Sequence, residues 1–171
     1  MNRDRELTPN PEFAAFIEHE LMPWVRTNYR VTRDPSRVMI GGSSLGGLAA
    51  AYVAMQYPAT FGNVISLSGA FWWAPDANPG NPANAVLEPG WLTRQYLRSP
   101  LLPIRFWMAA GTFETDPTGS GGAILETSRH LRDVLIAKGY AVHYVQFAGG
   151  HEALSWRGLL PDALIALNRA P

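Results

Sequence analysis

The residues best suited to covalent chemistry are the run Gly42-Ser43-Ser44-Leu45-Gly46. A serine hydroxyl becomes a nucleophile only when a neighbouring base takes its proton. Glycines two positions to either side of Ser44 give the Gly-x-Ser-x-Gly spacing of a sharp strand-to-helix turn. In such a turn the flanking positions are expected to leave no room for a side chain, and the serine is pushed out at the end of a sheet. Ser43 sits one residue too early for that spacing. The helix that follows begins at Leu45, whose backbone N–H is the expected oxyanion donor.

Ser44 then needs a base and an acid. Of the four histidines, His151 stands behind Gly149-Gly150, between the last expected strand and the last expected helix, and is read as the base. His19 falls on the outward side of a helix, His130 within a helix and His143 within a strand, where surface or packing roles explain them. The acid that fixes the imidazole tautomer is expected in Ala110–Asp116, the segment leaving the preceding strand, where Glu114 and Asp116 both qualify. Other chemistries lack their residues. His19-Glu20 and His151-Glu152 have no second histidine of a His-Glu-x-x-His zinc motif, and no P-loop lysine or dinucleotide fingerprint is present. The absence of cysteine removes disulfides, zinc–thiolate sites and thiol nucleophiles together. Neither a metal nor a cofactor is expected.

The elements that must position these groups follow from periodicity. Residues 10–29 read as an amphipathic helix, with Phe13, Phe16, Ile17, Leu21, Trp24 and Val25 at helical spacing, Asn10-Pro11 as its start and Pro23 as a kink or loosened end. Val38–Ile40 reads as a strand stopping at Gly41-Gly42, Leu45–Tyr57 as a helix ended by Pro58, and Val64–Leu67 as a second strand. A Pro/Gly/Asn-rich stretch over 74–90 reads as a surface excursion of the kind that lines binding sites. A strand at Ile104–Ala109, a helix over 123–138, a strand at Ala141–Phe147 and a final helix to about residue 168 complete the chain. Strands alternating with helices imply an α/β fold with a mainly parallel sheet covered on both faces.

The 171 residues suit one domain, 1–171, and 47% hydrophobic with 16% charged residues is a globular composition. Lys+Arg and Asp+Glu both total 14, so charge gives no reason to expect a nucleic acid or an anionic membrane as partner. No apolar run approaches the ~18–20 residues of a membrane span. The charged start, Met1–Glu6, lacks the apolar core of a signal peptide, which favours the cytoplasm. A missing upstream segment would leave the periplasm open.

Several longer segments carry a resemblance. Arg37–Ala49, Tyr57-Pro58, Phe61-Gly62, Ser68-Gly69-Ala70-Phe71-Trp72-Trp73 and Gly149–Arg157 resemble the enterochelin (ferric-siderophore) esterases, in the esterase D and feruloyl-esterase branch of the α/β-hydrolases. The chain order serine, acid, histidine is also that of the α/β-hydrolases. The resemblance implies ester hydrolysis in a triscatechol trilactone through an acyl-enzyme on Ser44, with His151 as base and Glu114 as acid. It further implies that Trp72, Trp73, Trp156 and Arg157 line the pocket, since aromatics and a guanidinium suit a flat anionic catecholate. In one respect the chain departs from that family, whose elbow strand follows several others, one of whose loops gives a second oxyanion N–H. Here the elbow arrives about forty residues in, so the N-terminal part of the domain is expected to be absent. Losing one oxyanion donor costs about 10²–10³ in rate. An uncovered sheet edge would favour self-association. The rival expectation is a non-catalytic remnant that binds a ligand or partner.

Overall fold

The computed structural model describes residues 3–75, 90–115 and 123–168. Four strands, β1 (Met39–Ser43), β2 (Asn63–Leu67), β3 (Arg105–Gly111) and β4 (Ala141–Phe147), form one parallel sheet in the order β1-β2-β3-β4. Helices α4 (Leu45–Gln56), α5 (Trp91–Arg98) and α6 (Ile124–Ala137) lie between successive strands, and α7 (Ala153–Asn168) follows β4. When sequential strands are also spatial neighbours, right-handed crossovers put every connecting helix on one face. The core reflects this. Val64, Phe106 and Met108 pack with Leu48, Val53, Leu92, Tyr96, Leu131 and Leu135 of α4, α5 and α6. The alternate strand residues Ile65, Leu67, Trp107 and Ala109 meet Ala163 and Leu167 of α7 on the other face. The expected α/β architecture, with helices on both faces of a parallel sheet, is the one observed.

Ahead of β1, α1 (Arg3–Glu6) leads into a continuous helix made of α2 (Pro11–Phe16), a π-helical turn (Ile17–Leu21) and α3 (Met22–Asn28). Asn10 caps it, its side chain accepting the N–H groups of Glu12 at 2.8 Å and Phe13 at 3.1 Å, with Pro11 in the first turn. The kink expected at Pro23 takes the form of the π turn just before it. Pro23 has no N–H to return to the carbonyl four residues back, and the wider turn, in which the Met22 N–H bonds Ile17 O, makes room for its ring. The apolar stripe of this helix is only partly used. Phe16 and Trp24 are 42% and 54% exposed, with Tyr29 and Val31 exposed nearby. β1 pairs with β2 alone and is an edge strand of the described sheet.

One boundary and one element differ from the sequence expectation. The first strand does not stop at Gly41. Pairing of Gly41 with Ile65, Gly42 with Ser66 and Ser43 with Leu67 carries β1 up to the elbow. Helix α5 was not expected. It is only two turns long, and its core face is the Leu92/Thr93/Tyr96 group, too short a pattern to stand out. Tyr96 is fully buried, its hydroxyl donating to Ala51 O at 2.7 Å, and burial holds its pKa well above the usual range. Most of the 74–90 stretch, residues 76–89, lies outside the described residues.

Candidate active site

The C-terminal ends of the four parallel strands face the same edge of the sheet, and each delivers one polar group there: Ser44 after β1, Ser68 after β2, Glu114 after β3 and His151 after β4. Ser44 has φ 57° and ψ −125°, a backbone region that costs a non-glycine residue about 1–3 kcal/mol. Four backbone bonds hold it there. Its N–H reaches Leu67 O at 3.0 Å, and its carbonyl accepts from Gly47 (3.0 Å), Leu48 (3.2 Å) and Ala70 (3.0 Å). Immediately after it, Leu45 opens α4 with no side-chain cap, and its N–H has no acceptor among the described residues. An uncommitted N–H at a helix start beside a serine is the arrangement that binds an oxyanion.

The elbow corrects one expectation. A Cβ on Gly42 would lie 2.5 Å from Gly46 C and 2.6 Å from Gly46 O, but a Cβ on Gly46 would meet nothing within 4 Å. The steric demand therefore falls on Gly42, because the strand backbone runs against the first helical turn, while the Gly46 α-position points into open space. Gly47 is the second constrained position, its Cβ falling 2.6 Å from Ser66 Oγ. Gly46→Ala is expected to raise stability by about 0.5–1 kcal/mol through helix propensity, whereas Gly42→Ala should cost several-fold more. Urea midpoints of the two variants check this; equal midpoints would contradict it.

Glu114 is placed by a tight turn off β3. Its N–H bonds Gly111 O at 3.2 Å, and its Oε2 accepts the Gly111 N–H in return. Its Oε1 lies 2.7 Å from His151 Nδ1, with the Glu114 side chain 1% exposed and that of His151 39% exposed. A carboxylate oxygen accepts here, so Nδ1 is the donor, and in the neutral imidazole that tautomer puts the lone pair on Nε2. Of the glycines before His151, Gly149 is the tighter, its Cβ falling 3.0 Å from the Phe147 ring and from Ser155 Oγ, but the backbone clash is at Gly111. Gly149 O approaches so closely that a Cβ on Gly111 would fall 2.3 Å from it, and it accepts the Phe113 N–H at 3.1 Å; Gly150 is open. Asp116, the other acid weighed from sequence, lies outside the described residues.

Ser44 and His151 are connected through two intermediates. The Ser44 carbonyl binds Ala70 N–H, two residues from Ser68, and Ser68 Oγ accepts the Trp156 indole N–H at 2.9 Å. The Trp156 ring meets the His151 ring edge-to-face, with centroids 4.8 Å apart and planes at 85°. Among the described residues no hydrogen bond joins Ser44 to the imidazole itself. Ser68 was read from sequence only as part of the Ser-Gly-Ala-Phe-Trp-Trp segment. Here it is fully buried at φ 51°, its N–H held by Ala109 O at 2.7 Å. A positive φ at serine leaves no trace in residue type, so only the following Gly69 could have hinted at the turn.

Trp72 is half-buried against Ala110, Ile124 and Leu125, and Trp73 meets Trp91 edge-to-face at 5.8 Å. Arg157 is exposed and has no polar partner among the described residues. The remaining histidines lie away from the site: His19 is exposed against Tyr57, His130 exposed on α6, and His143 stacked on Trp107 at 5.8 Å. Among the described residues, no cluster of three or more His, Asp or Glu could hold a metal ion, and no helix is long and apolar enough to cross a membrane.

The family model described as "Putative esterase" matches residues 2–167. The iron(III) enterobactin esterase of Dickeya dadantii is 34% identical over 164 residues, covering 94% of this chain and 36% of that protein. The crystal structure of enterochelin esterase from Shigella flexneri superposes with a TM-score of 0.80 at 30% identity, covering 96% of this chain and 39% of that one. A structure of the S. flexneri enterobactin esterase in the presence of enterobactin gives 0.79 and 30%, over 96% of this chain and 39% of its own. The chain thus spans well under half the length of these relatives.

Proposed function

Because this chain belongs to the esterase family matched over residues 2–167, we propose that it hydrolyses carboxylic esters through an acyl-enzyme on Ser44. The observation that carries this reading is the 2.7 Å bond between buried Glu114 and His151 Nδ1, at the sheet edge where the Ser44 elbow emerges. In the proposed mechanism Nε2 of His151 takes the Ser44 proton as Oγ attacks the ester carbonyl. The Leu45 N–H receives the developing oxyanion, and the imidazolium returns its proton to the departing alkoxide, leaving Ser44 acylated. Water activated by the same imidazole then releases the acid. Glu114 stays ionised throughout and stabilises the imidazolium.

The proposed substrate is a small catecholate ester of the enterobactin class. The names of the relatives support this, as does the Trp156 ring against His151; Trp72, Trp73 and Arg157, the last exposed and without a polar partner among the described residues, are proposed to complete the substrate surface. A fluorophosphonate probe tests the chemistry. Labelling of the folded chain, mapped by peptide mass spectrometry, is expected at Ser44 and not at Ser43; a folded chain that stays unlabelled would overturn the reading. Hydrolysis rates on enterobactin, a feruloyl ester and a short p-nitrophenyl ester test the substrate class, with enterobactin expected to give the highest kcat/KM.

A further inference from the structure

We infer that Trp156 is a positioning residue for His151: its ring meets the imidazole edge-to-face and restrains its plane, and it is itself anchored by Ser68. The inference rests on the proposed serine chemistry and deepens it. With 39% of its side chain exposed, His151 is not packed into place by its surroundings. The Glu114 carboxylate fixes one point of the ring, Nδ1, at 2.7 Å. A single hydrogen bond leaves the ring free to swing about the axis through that bond, and such a swing moves Nε2 relative to Ser44. Edge-to-face contact with Trp156, at 4.8 Å and 85°, restricts that swing.

The contact restrains His151 only if Trp156 is itself immobile, and its indole N–H is bonded to Ser68 Oγ at 2.9 Å. Ser68 is fully buried and its backbone is tied to β3 through Ala109 O. The anchor therefore runs from the imidazole to the centre of the sheet, on the same turn whose Ala70 N–H binds the Ser44 carbonyl. Base and nucleophile are referred to one rigid segment, Ser68–Ala70. Trp156 lies five residues after His151, in the first turn of α7, so one helix start delivers both rings.

The test compares Trp156→Phe, Trp156→Leu and Ser68→Ala with the parent chain. Each is assayed for kcat and KM on a short p-nitrophenyl ester and for the rate of fluorophosphonate labelling at Ser44. A misplacement of about 1 Å costs on the order of 10² in rate. Trp156→Leu, which removes ring and N–H, is expected to lower kcat and labelling rate by about that factor with KM within about twofold. Trp156→Phe keeps an aromatic ring and should recover most of the loss, and Ser68→Ala should fall between the two. A substrate wall would instead raise KM and spare labelling by the small probe. A purely structural role would lower the melting temperature and leave the labelling rate of the folded fraction unchanged. Either result, or parent-like kinetics in all three variants, overturns the inference. If Trp156→Leu fails to fold, Trp156→Phe and Ser68→Ala decide, and parent-like labelling in both is then the contradicting result. An unlabelled parent chain overturns the esterase reading itself, which separates the two failures.

Discussion

Replacing Ser44 with alanine should lower kcat on a p-nitrophenyl ester by about 10⁵–10⁶, the scale on which removing the nucleophile of a serine–histidine–acid unit acts. His151→Ala should cost nearly as much, and the double variant little more than either alone. Nucleophile and base work as a unit, and once one is gone the other has nothing left to activate. What rate remains comes from binding and from the Leu45 N–H. The fold should survive the change. Alanine at φ 57° carries the same backbone strain as serine, and the bonds that hold the turn are made by the Ser44 backbone and not by its hydroxyl. Ser44→Gly makes the converse prediction: equally inactive, but more stable by about 1 kcal/mol or more, because glycine adopts that conformation freely. Parallel measurement of kcat and urea midpoint checks both. Substantial turnover by folded Ser44→Ala would remove Ser44 from the chemistry.

Much of this arrangement is legible in the sequence because it depends on residue type at fixed spacing. β4 at Ala141–Phe147 carries the polar–apolar alternation of a partly exposed strand, and the buried positions Leu125, Leu131 and Leu135 of α6 follow helical periodicity. Other features depend on where chains meet, which spacing does not encode. Gly42 and Gly46 look equivalent in a motif, yet only at Gly42 would a Cβ run into backbone. Phe16 and Trp24 continue an apolar stripe, but no described element covers that part of the helix, so they stay exposed. Glu114 and Asp116 are indistinguishable as acids on a loop. What favours Glu114 is the Gly111 N–H, which grips one carboxylate oxygen and turns the other toward His151.

That grip gives Glu114→Gln an expected loss of roughly 10⁴ in kcat, by analogy with the loss when the carboxylate of such a triad becomes an amide. The reason is the proton on the imidazole. In the parent chain Oε2 accepts the Gly111 N–H and Oε1 accepts from Nδ1. A glutamine has one acceptor and one donor end, and with its oxygen kept on Gly111 its NH₂ faces Nδ1. That nitrogen must then present a lone pair, which moves the ring proton to Nε2, where it blocks uptake of the Ser44 proton. Shape and volume are preserved, so the fold should hold. His151→Ala has the opposite profile in stability: it strips a charge-assisted bond from a carboxylate whose side chain is 1% exposed, at a cost of about 1.5–3 kcal/mol. Adding Glu114→Gln to His151→Ala removes that buried charge and should recover most of the lost stability without restoring activity. A double-mutant cycle in urea midpoints measures this coupling. The cycle and kcat together separate a carboxylate that orients the base from one that only fills the turn: in the second case Glu114→Gln would keep kcat within about tenfold of the parent, and the two substitutions would add.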